Sequence, residues 1–254
     1  MRNPQYAPSI SLIIPAYKQE RTILKDVKNL VAIMQDLPNK YEILIVIDGM
    51  VDKTHQKLKR LKADNVRVIE YEKNIGKGNA IKTGALEANG DIVGFIDAGM
   101  DINPEGITML LNHMQWYDAD IIIGSKLHPV SQVSYPFSRR ILSWGYRNFT
   151  RTLFGFKVKD SQVGLKFYKR KVVQDVFPRL RVKKFAFDIE ILAISYRLGY
   201  RKIYEAPVKL DFRGVSSINS INLWKVILSM LWDTVAVFYR VNIRRDYKRK
   251  LPRK

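Results

Sequence analysis

Four polar segments of the chain carry side chains that could bind a ligand, and each follows an apolar run typical of a β-strand. They lie at residues 15–20, 48–52, 73–80 and 97–101. Glycine, asparagine and aspartate also favour ordinary turns, which is the alternative explanation for any one segment. Because polar groups recur after four consecutive strand-like runs, we favour a shared ligand site.

Strand-like and helix-like stretches alternate along the first half of the chain. Strands are predicted at residues 11–14, 42–47, 66–71, 92–96 and 121–123, and helices at 22–37, 52–61, 77–88 and 104–116. This alternation predicts an α/β fold with a mostly parallel sheet covered by helices on both faces. Ligands of such sheets bind beyond the carboxyl ends of the strands, where the four polar segments would meet. The less regular second half predicts helices at 138–153 and 187–198 and a strand at 202–209.

The composition limits the function classes that remain open. The 254 residues suit one large domain, and the absence of cysteine excludes disulfides and thiolate metal sites. The formal net charge of +20 attracts nucleic acid, anionic lipid or phosphorylated ligands. No nucleic-acid-binding motif accompanies this charge, and eight basic residues with a single acid are concentrated at residues 240–254. We therefore predict no nucleic-acid partner.

An ordered series of motifs resembles glycosyltransferase family 2, specifically its polyprenyl-phosphate branch. The motifs are IIPAYKQE at 13–20, VIDGMVDKT at 46–54, NIGKGNA at 74–80 and DSQVGLK at 160–166, and the similarity extends to the FRGVSS segment at 212–217. Three motifs depart from the family pattern. Lys18 and Gln19 replace the first two residues of its NEE triplet. Ile47 replaces the first of two paired aspartates, and Gly99 replaces the second carboxylate of the Asp-x-Asp metal motif.

The resemblance implies a GT-A fold and an inverting transfer of a hexose from a nucleotide-sugar to a polyprenyl phosphate. The donor would be UDP-glucose or GDP-mannose, and the acceptor dolichyl or undecaprenyl phosphate. Two alternatives remain open. One is a hydroxyl-acceptor member of the family that builds a surface glycan. The other is a nucleotide-sugar-binding relative with catalysis weakened by Gly99.

The resemblance also implies which residues bind the nucleotide-sugar. They are Pro15, Tyr17, Glu20, Asp48, Lys77, Asp97, Ala98 and Arg213. The resemblance implies that Asp48 binds the base or the ribose of the nucleotide, together with Pro15 and Tyr17 of the first loop. Lys77 lies between two glycines at a predicted helix start, where anions are favoured, and could approach the diphosphate. The alternative for Lys77 is a solvated lysine on a glycine-rich turn.

Asp97 and Asp101 are the candidate ligands of a divalent cation. Mg²⁺ and Mn²⁺ prefer oxygen ligands, and Mg²⁺ needs only one or two carboxylates besides phosphate and water. On an extended strand, residues four apart would be roughly 13 Å from each other, so the pair requires a turn. Gly99 tolerates the backbone angles of such a turn. The alternative is that Asp101 only caps the next helix.

An acceptor phosphate is already ionised near neutral pH, so it needs cations to hold it rather than a general base. Lys126 stands where the resembled branch carries an arginine, and Arg139 and Ser143 match its Arg-x-x-x-Ser pattern. These three residues are predicted to bind the acceptor phosphate, and Asp97, Arg139 and Lys126 are predicted to be catalytic. Asp188 and Glu190 are interpreted as charges at a helix N-terminus, without a base role.

The C-terminal region, residues 218–254, is predicted to be a membrane-associating amphipathic helix and basic tail after a catalytic domain at residues 1–217. Its apolar residues recur at helical spacing: Ile221, Trp224, Leu228, Leu231, Val235 and Phe238. Lys225 and Asp233 interrupt the apolar run, which favours a helix lying on an anionic membrane surface over a span. Because residues 1–9 do not resemble a signal peptide, we expect the cytoplasmic face. Alternatively, this stripe packs on the catalytic domain or forms a homodimer.

Overall fold

The computed structural model describes residues 7–61, 63–134, 137–211 and 220–248. The strands in these ranges are β1 Ile10–Ala16, β2 Tyr41–Asp48, β3 Val66–Tyr71, β4 Ile92–Ile96, β5 Ile121–Ser125, β6 Gln132–Ser134, β7 Leu165–Lys169, β8 Ile203–Pro207 and β9 Lys209–Asp211. The α-helices are α1 Ile23–Gln35, α2 Thr54–Leu58, α3 Lys77–Glu87, α4 Gly106–Trp116, α5 Phe137–Phe154, α6 Arg170–Val176, α7 Phe187–Arg197 and α8 Ser220–Phe238. A π-helical turn, Tyr239–Ile243, and a short 3-10 helix, Asp246–Lys248, follow α8.

Seven of these strands form the central sheet, in the order β3-β2-β1-β4-β7-β5-β8. β7 runs antiparallel to β4 and β5, whereas the other pairings in this sheet are parallel. The mostly parallel sheet is therefore confirmed. β7 was not predicted, because the lysines in its LKFYK sequence interrupt the apolar run that marks a buried strand. Its antiparallel direction makes it begin at the edge where its neighbours end.

Helices cover both faces of the sheet, as predicted. Successive side chains of a strand point to opposite faces. Ile13, Val46 and Phe95 lie in one buried cluster with residues of α3, α6 and α7. Leu12 and Ile45 lie in a second cluster with residues of α1 and α4. Burying each such side chain stabilises the fold by about 1.5–3 kcal/mol, so the two clusters fix the sheet that carries the strand ends.

The described side chains of α8 pack on the rest of the chain through one face of the helix. Thr234 and Val237 are fully buried, and the hydroxyl of Tyr146 on α5 lies 2.7 Å from that of Thr234. The opposite face exposes large apolar side chains: Trp224, Leu228, Trp232 and Val235, continued by Tyr239 in the turn that follows. The segment Trp224–Ile243 is long and apolar enough to cross a membrane, judged by length and composition alone.

Candidate active site

The end of β4 and the start of β7 lie side by side at the carboxyl edge of the sheet. Ile96 pairs with Leu165 in the antiparallel ladder, and the amide of Asp97 donates to the carbonyl oxygen of Gly164 over 2.9 Å. Residues that precede β7 therefore join those that follow β1, β2, β3 and β4 at one edge, where ligands of such sheets bind.

The carboxylate of Asp97 lies between Lys77 and Gly164. The Nζ of Lys77 is 2.6 Å from Oδ1 of Asp97, a close ion pair. A Cβ atom on Gly164 would lie 2.0 Å from Oδ2 of Asp97, so the carboxylate occupies space that only glycine leaves open. The ammonium of Lys77 also lies 5.9 Å from the ring centroids of both Phe95 and Phe187. Two of the predicted donor-binding residues are thus in direct contact.

The predicted turn between Asp97 and Asp101 is present. Gly99 has a φ of +88° and Met100 a φ of +52°, which reverses the chain immediately after Asp97. The turn is fixed from α1, because Oδ2 of the buried Asp26 accepts a hydrogen bond from the amide of Gly99 over 3.1 Å. Sequence reasoning missed Asp26. Its only signal was an acid next to the apolar face of a predicted helix.

The carboxylates at this turn fit a cation that shares its coordination with phosphate oxygens. Within the described ranges, no group of three or more His, Asp or Glu side chains could enclose a metal ion. Mg²⁺, however, is commonly bound by one or two carboxylates with phosphate and water. A buried oxygen of Asp97 has only the Lys77 ion pair and no hydrogen bond among the described residues. The donor set therefore suits a metal–diphosphate complex rather than a protein-only metal site.

Asp48 holds the turn that leads into Lys77. This buried carboxylate accepts hydrogen bonds from the backbone amides of Ile75, at 2.8 Å, and Gly76, at 2.9 Å, and from the side chain of Asn74, at 3.1 Å. Gly76 has a φ of +129°, which a side chain would disfavour. The predicted contact of Asp48 with the nucleotide remains a prediction. Its observed contacts position the start of α3.

The first two loops at the sheet edge are fastened to each other. The amide of Glu20 donates to Asp52 over 3.1 Å, and the carboxylate of Glu20 accepts from the amide of Lys53 over 3.1 Å. Pro15 lies within β1, and Tyr17 follows that strand with the Nζ of Lys18 5.4 Å from its ring centroid. These loops flank the edge, and their nucleotide contacts stay a prediction.

The same region contains a second ion pair, which, unlike that of Lys77 and Asp97, is fully buried. The Nζ of Lys166 lies 2.5 Å from Oδ1 of Asp188 and donates to the carbonyl oxygen of Val163 over 2.7 Å. Burial raises the pKa of the Asp188 carboxyl and lowers that of the Lys166 ammonium, and the attraction between their charges opposes both shifts. Sequence reasoning gave Lys166 no role. The ion pair occupies one oxygen of Asp188, and the absence of a base role for Asp188 stays a prediction.

Of the predicted acceptor-binding residues, Lys126 is the one whose side-chain contacts the structure describes. The amide of Lys126 donates to Oδ2 of Asp160 over 3.0 Å, and its Nζ lies 3.6 Å from the same oxygen. Arg139 and Ser143 both lie on α5, but the side chain of Arg139 is outside the described part of the chain.

Arg213, which was predicted to bind the donor, also lies outside the described residues. Ala98, predicted to bind the donor, follows Asp97 in the turn at Gly99 and is partly buried.

Solved structures share this fold at low sequence identity. The glucosyl-3-phosphoglycerate synthase of Mycobacterium tuberculosis, in complex with Mn²⁺, uridine diphosphate and phosphoglyceric acid, is similar with a TM-score of 0.69 at 19% identity. The similarity covers 91% of this chain and 78% of that one. The predicted GT-A fold is thereby confirmed.

Curated relatives cover most of the chain. The dolichyl-phosphate beta-glucosyltransferase of Dictyostelium discoideum is 29% identical over 256 residues, covering 94% of this chain and 76% of that protein. The enzyme of the same name from Homo sapiens is 27% identical, covering 85% and 70%. The model of the family described as glycosyl transferase family 2 matches residues 11–177, and the chain belongs to this family.

Proposed function

We propose that the chain is an inverting glucosyltransferase that moves glucose from UDP-glucose to dolichyl phosphate or a related polyprenyl phosphate. The observation that carries the proposal is the ion pair between Lys77 and Asp97, whose carboxylate occupies the space that Gly164 leaves open. It lies in a chain whose relatives are named dolichyl-phosphate beta-glucosyltransferases. Those names favour glucose over mannose, and a structural neighbour that binds UDP-glucose supports the uridine nucleotide.

Departure of UDP builds negative charge on the oxygens of its β-phosphate, and positive groups at the sheet edge would stabilise it. Lys77 starts α3, so its ammonium adds to the partial positive charge of the helix N-terminus. Mg²⁺ or Mn²⁺ held by Asp97 and Asp101 would supply further charge neutralisation. Asp48 and Gly164 act through position, because they set the turn before Lys77 and the space for Asp97.

The acceptor phosphate attacks the anomeric carbon without a general base, because it is already ionised. The carboxylate of Asp188, which could otherwise act as a base, forms an ion pair with Lys166 at 2.5 Å, and this supports the view that no base is used. We assign the holding of the acceptor phosphate to Lys126, Arg139 and Ser143, with Arg213 assigned to the donor side. Asp160 keeps Lys126 near this edge through its contact at 3.6 Å.

We propose that the exposed face of α8 rests on the cytoplasmic face of a membrane, where the acceptor lipid resides. Trp224 and Trp232 are among the most exposed apolar side chains of the described residues, at 69% and 75%. Tryptophan favours membrane–water interfaces, and the basic residues at 240–254 complement anionic lipid. The packed opposite face, with Thr234 and Val237 buried, supports a helix lying in the membrane plane. A homodimer through the exposed face of α8 is the alternative.

The test is transfer of radiolabelled glucose from UDP-glucose to lipid, measured by solvent extraction in the presence of Mn²⁺. We expect labelled lipid with dolichyl phosphate, and none with dolichol, which has the same chain but no phosphate. GDP-mannose should be a poor donor. Label on dolichol or on a free glycan would favour the hydroxyl-acceptor alternative. UDP binding without transfer to any acceptor would favour the non-catalytic relative.

A further inference from the structure

Glu190 on α7 is fully buried and accepts hydrogen bonds from two separate parts of the chain. Its Oε2 accepts from the backbone amides of Arg181, at 2.8 Å, and Val182, at 2.7 Å. Its Oε1 accepts from the guanidinium of Arg240, at 3.0 Å, and the hydroxyl of Tyr247, at 2.9 Å. Because a buried carboxylate without partners is costly, these contacts fasten the loop at 180–184 and the segment after α8 to one point.

The loop at 180–184 in turn packs against the start of α3. The carbonyl oxygen of Lys183 accepts a hydrogen bond from the amide of Asn79 over 3.0 Å. A Cβ atom on Gly76 would lie 2.4 Å from that same carbonyl oxygen, and one on Gly78 would lie 2.9 Å from that of Val182. The loop and the first turn of α3 are therefore in backbone contact. The position of Lys77, and of its ion pair with Asp97, depends on this loop.

The other end of the connection belongs to the segment that follows α8, the helix with the exposed apolar face. Arg240 and Tyr247 follow α8, and the Nε of Arg240 also donates to the Tyr247 hydroxyl over 3.2 Å. Burial, with the neighbouring Glu190 charge, raises the pKa of Tyr247 to about 12, so the hydroxyl keeps the proton that it donates. The side chain of Arg240 is 17% exposed and that of Glu190 is 0% exposed.

We propose that Glu190 is a positioning residue of the donor site, which connects the docked C-terminal segment through the loop at 180–184 to Lys77. The donor site then reaches its binding geometry only while the segment after α8 is docked. The inference rests on the proposed function in one respect, namely that the donor nucleotide is UDP.

The test combines Arg240→Met with Tyr247→Phe, which removes both donors to Oε1 and leaves the amide contacts of Oε2 in place. Calorimetric titration with UDP and Mn²⁺, without lipid, should show a dissociation constant raised by about tenfold, or 1.4 kcal/mol. Tyr247→Phe alone loses only a hydroxyl, so it should fold normally and show a smaller rise. The matched control, Lys225→Met with Tyr239→Phe, removes a cation from an exposed position of α8 and a hydroxyl from an exposed position just after it, and should bind UDP like the wild type.

Hydrogen exchange provides a readout that needs no ligand. The amides at 76–80 and 180–184 should exchange faster in Tyr247→Phe and in the double variant than in the control. Faster exchange confined to 239–247, with an unchanged UDP dissociation constant, would overturn the proposal. If the double variant fails to fold, Tyr247→Phe decides by the same two measurements. A wild-type protein that binds no UDP would refute the proposed function, and the exchange pattern would still test the role of Glu190.

Discussion

Asp97→Asn is expected to lower the rate of glucosyl transfer by about 10²–10³-fold, a typical effect of removing one group that stabilises transition-state charge. The amide keeps the size of the carboxylate but removes the charge that pairs with Lys77 over 2.6 Å and that would bind the cation. Measuring kcat at saturating UDP-glucose and dolichyl phosphate over a range of Mn²⁺ concentrations would determine the loss. We expect that excess Mn²⁺ restores little of the rate.

Asp64→Asn is the matched control, because it removes the same charge from an exposed position that precedes β3. Its kcat should equal that of the wild type. A wild-type activity that survives complete chelation of divalent cations would contradict the metal role of Asp97. So would an Asp97→Asn variant with normal kcat.

Gly164→Ala is expected to cost about 10²-fold in kcat, although it removes no chemical group from the site. The added Cβ would lie 2.0 Å from Oδ2 and 2.2 Å from Cγ of Asp97, so the carboxylate must move. A displacement of about 1 Å in a catalytic group can cost that much. The concentration of Mn²⁺ that gives half-maximal activity should rise, because the displaced carboxylate is a proposed ligand. Titration of the initial rate with Mn²⁺ measures both effects.

Gly145→Ala is the control for this substitution. Gly145 lies in α5, and among the described residues a Cβ there would have no atom within 4 Å outside its own helix and chain neighbours. Alanine favours a helix more than glycine does, so the control should be as stable as the wild type or slightly more so. If Gly164→Ala retained the wild-type rate and Mn²⁺ dependence, the placement of Asp97 against Gly164 would not matter for catalysis.

The sheet and the location of the candidate site could be predicted from the sequence because both depend on local patterns. Apolar runs marked β1 to β5, and the polar segment after β4 placed Asp97 at the carboxyl edge. The predicted turn at Gly99 followed from the residue type alone. The antiparallel β7 could not be found in this way, since its pairing with β4 and β5 depends on tertiary context.

Partners from distant parts of the chain could not be predicted. Asp26 reaches the amide of Gly99 from 73 positions away, and Glu190 joins Arg240 from 50 positions away.

For α8 the sequence left two roles open for one apolar stripe. In the structure the stripe is divided: Phe238 contacts Phe154 at 5.8 Å between ring centroids, whereas Trp224 is exposed. Because the helix is apolar on both sides, periodicity could not tell these faces apart.

The anomeric configuration of the lipid product tests the proposed function most directly. UDP-glucose carries glucose in the α configuration, so a single in-line attack by the lipid phosphate must yield a β-linked glucosyl phosphate. Proton and phosphorus NMR of the purified product, formed from UDP-glucose and dolichyl phosphate, would identify the linkage. We predict β-glucosyl phosphate on dolichol as the sole glucosylated lipid. An α linkage, or glucose attached to a hydroxyl rather than to the phosphate, would contradict inverting transfer to a lipid phosphate.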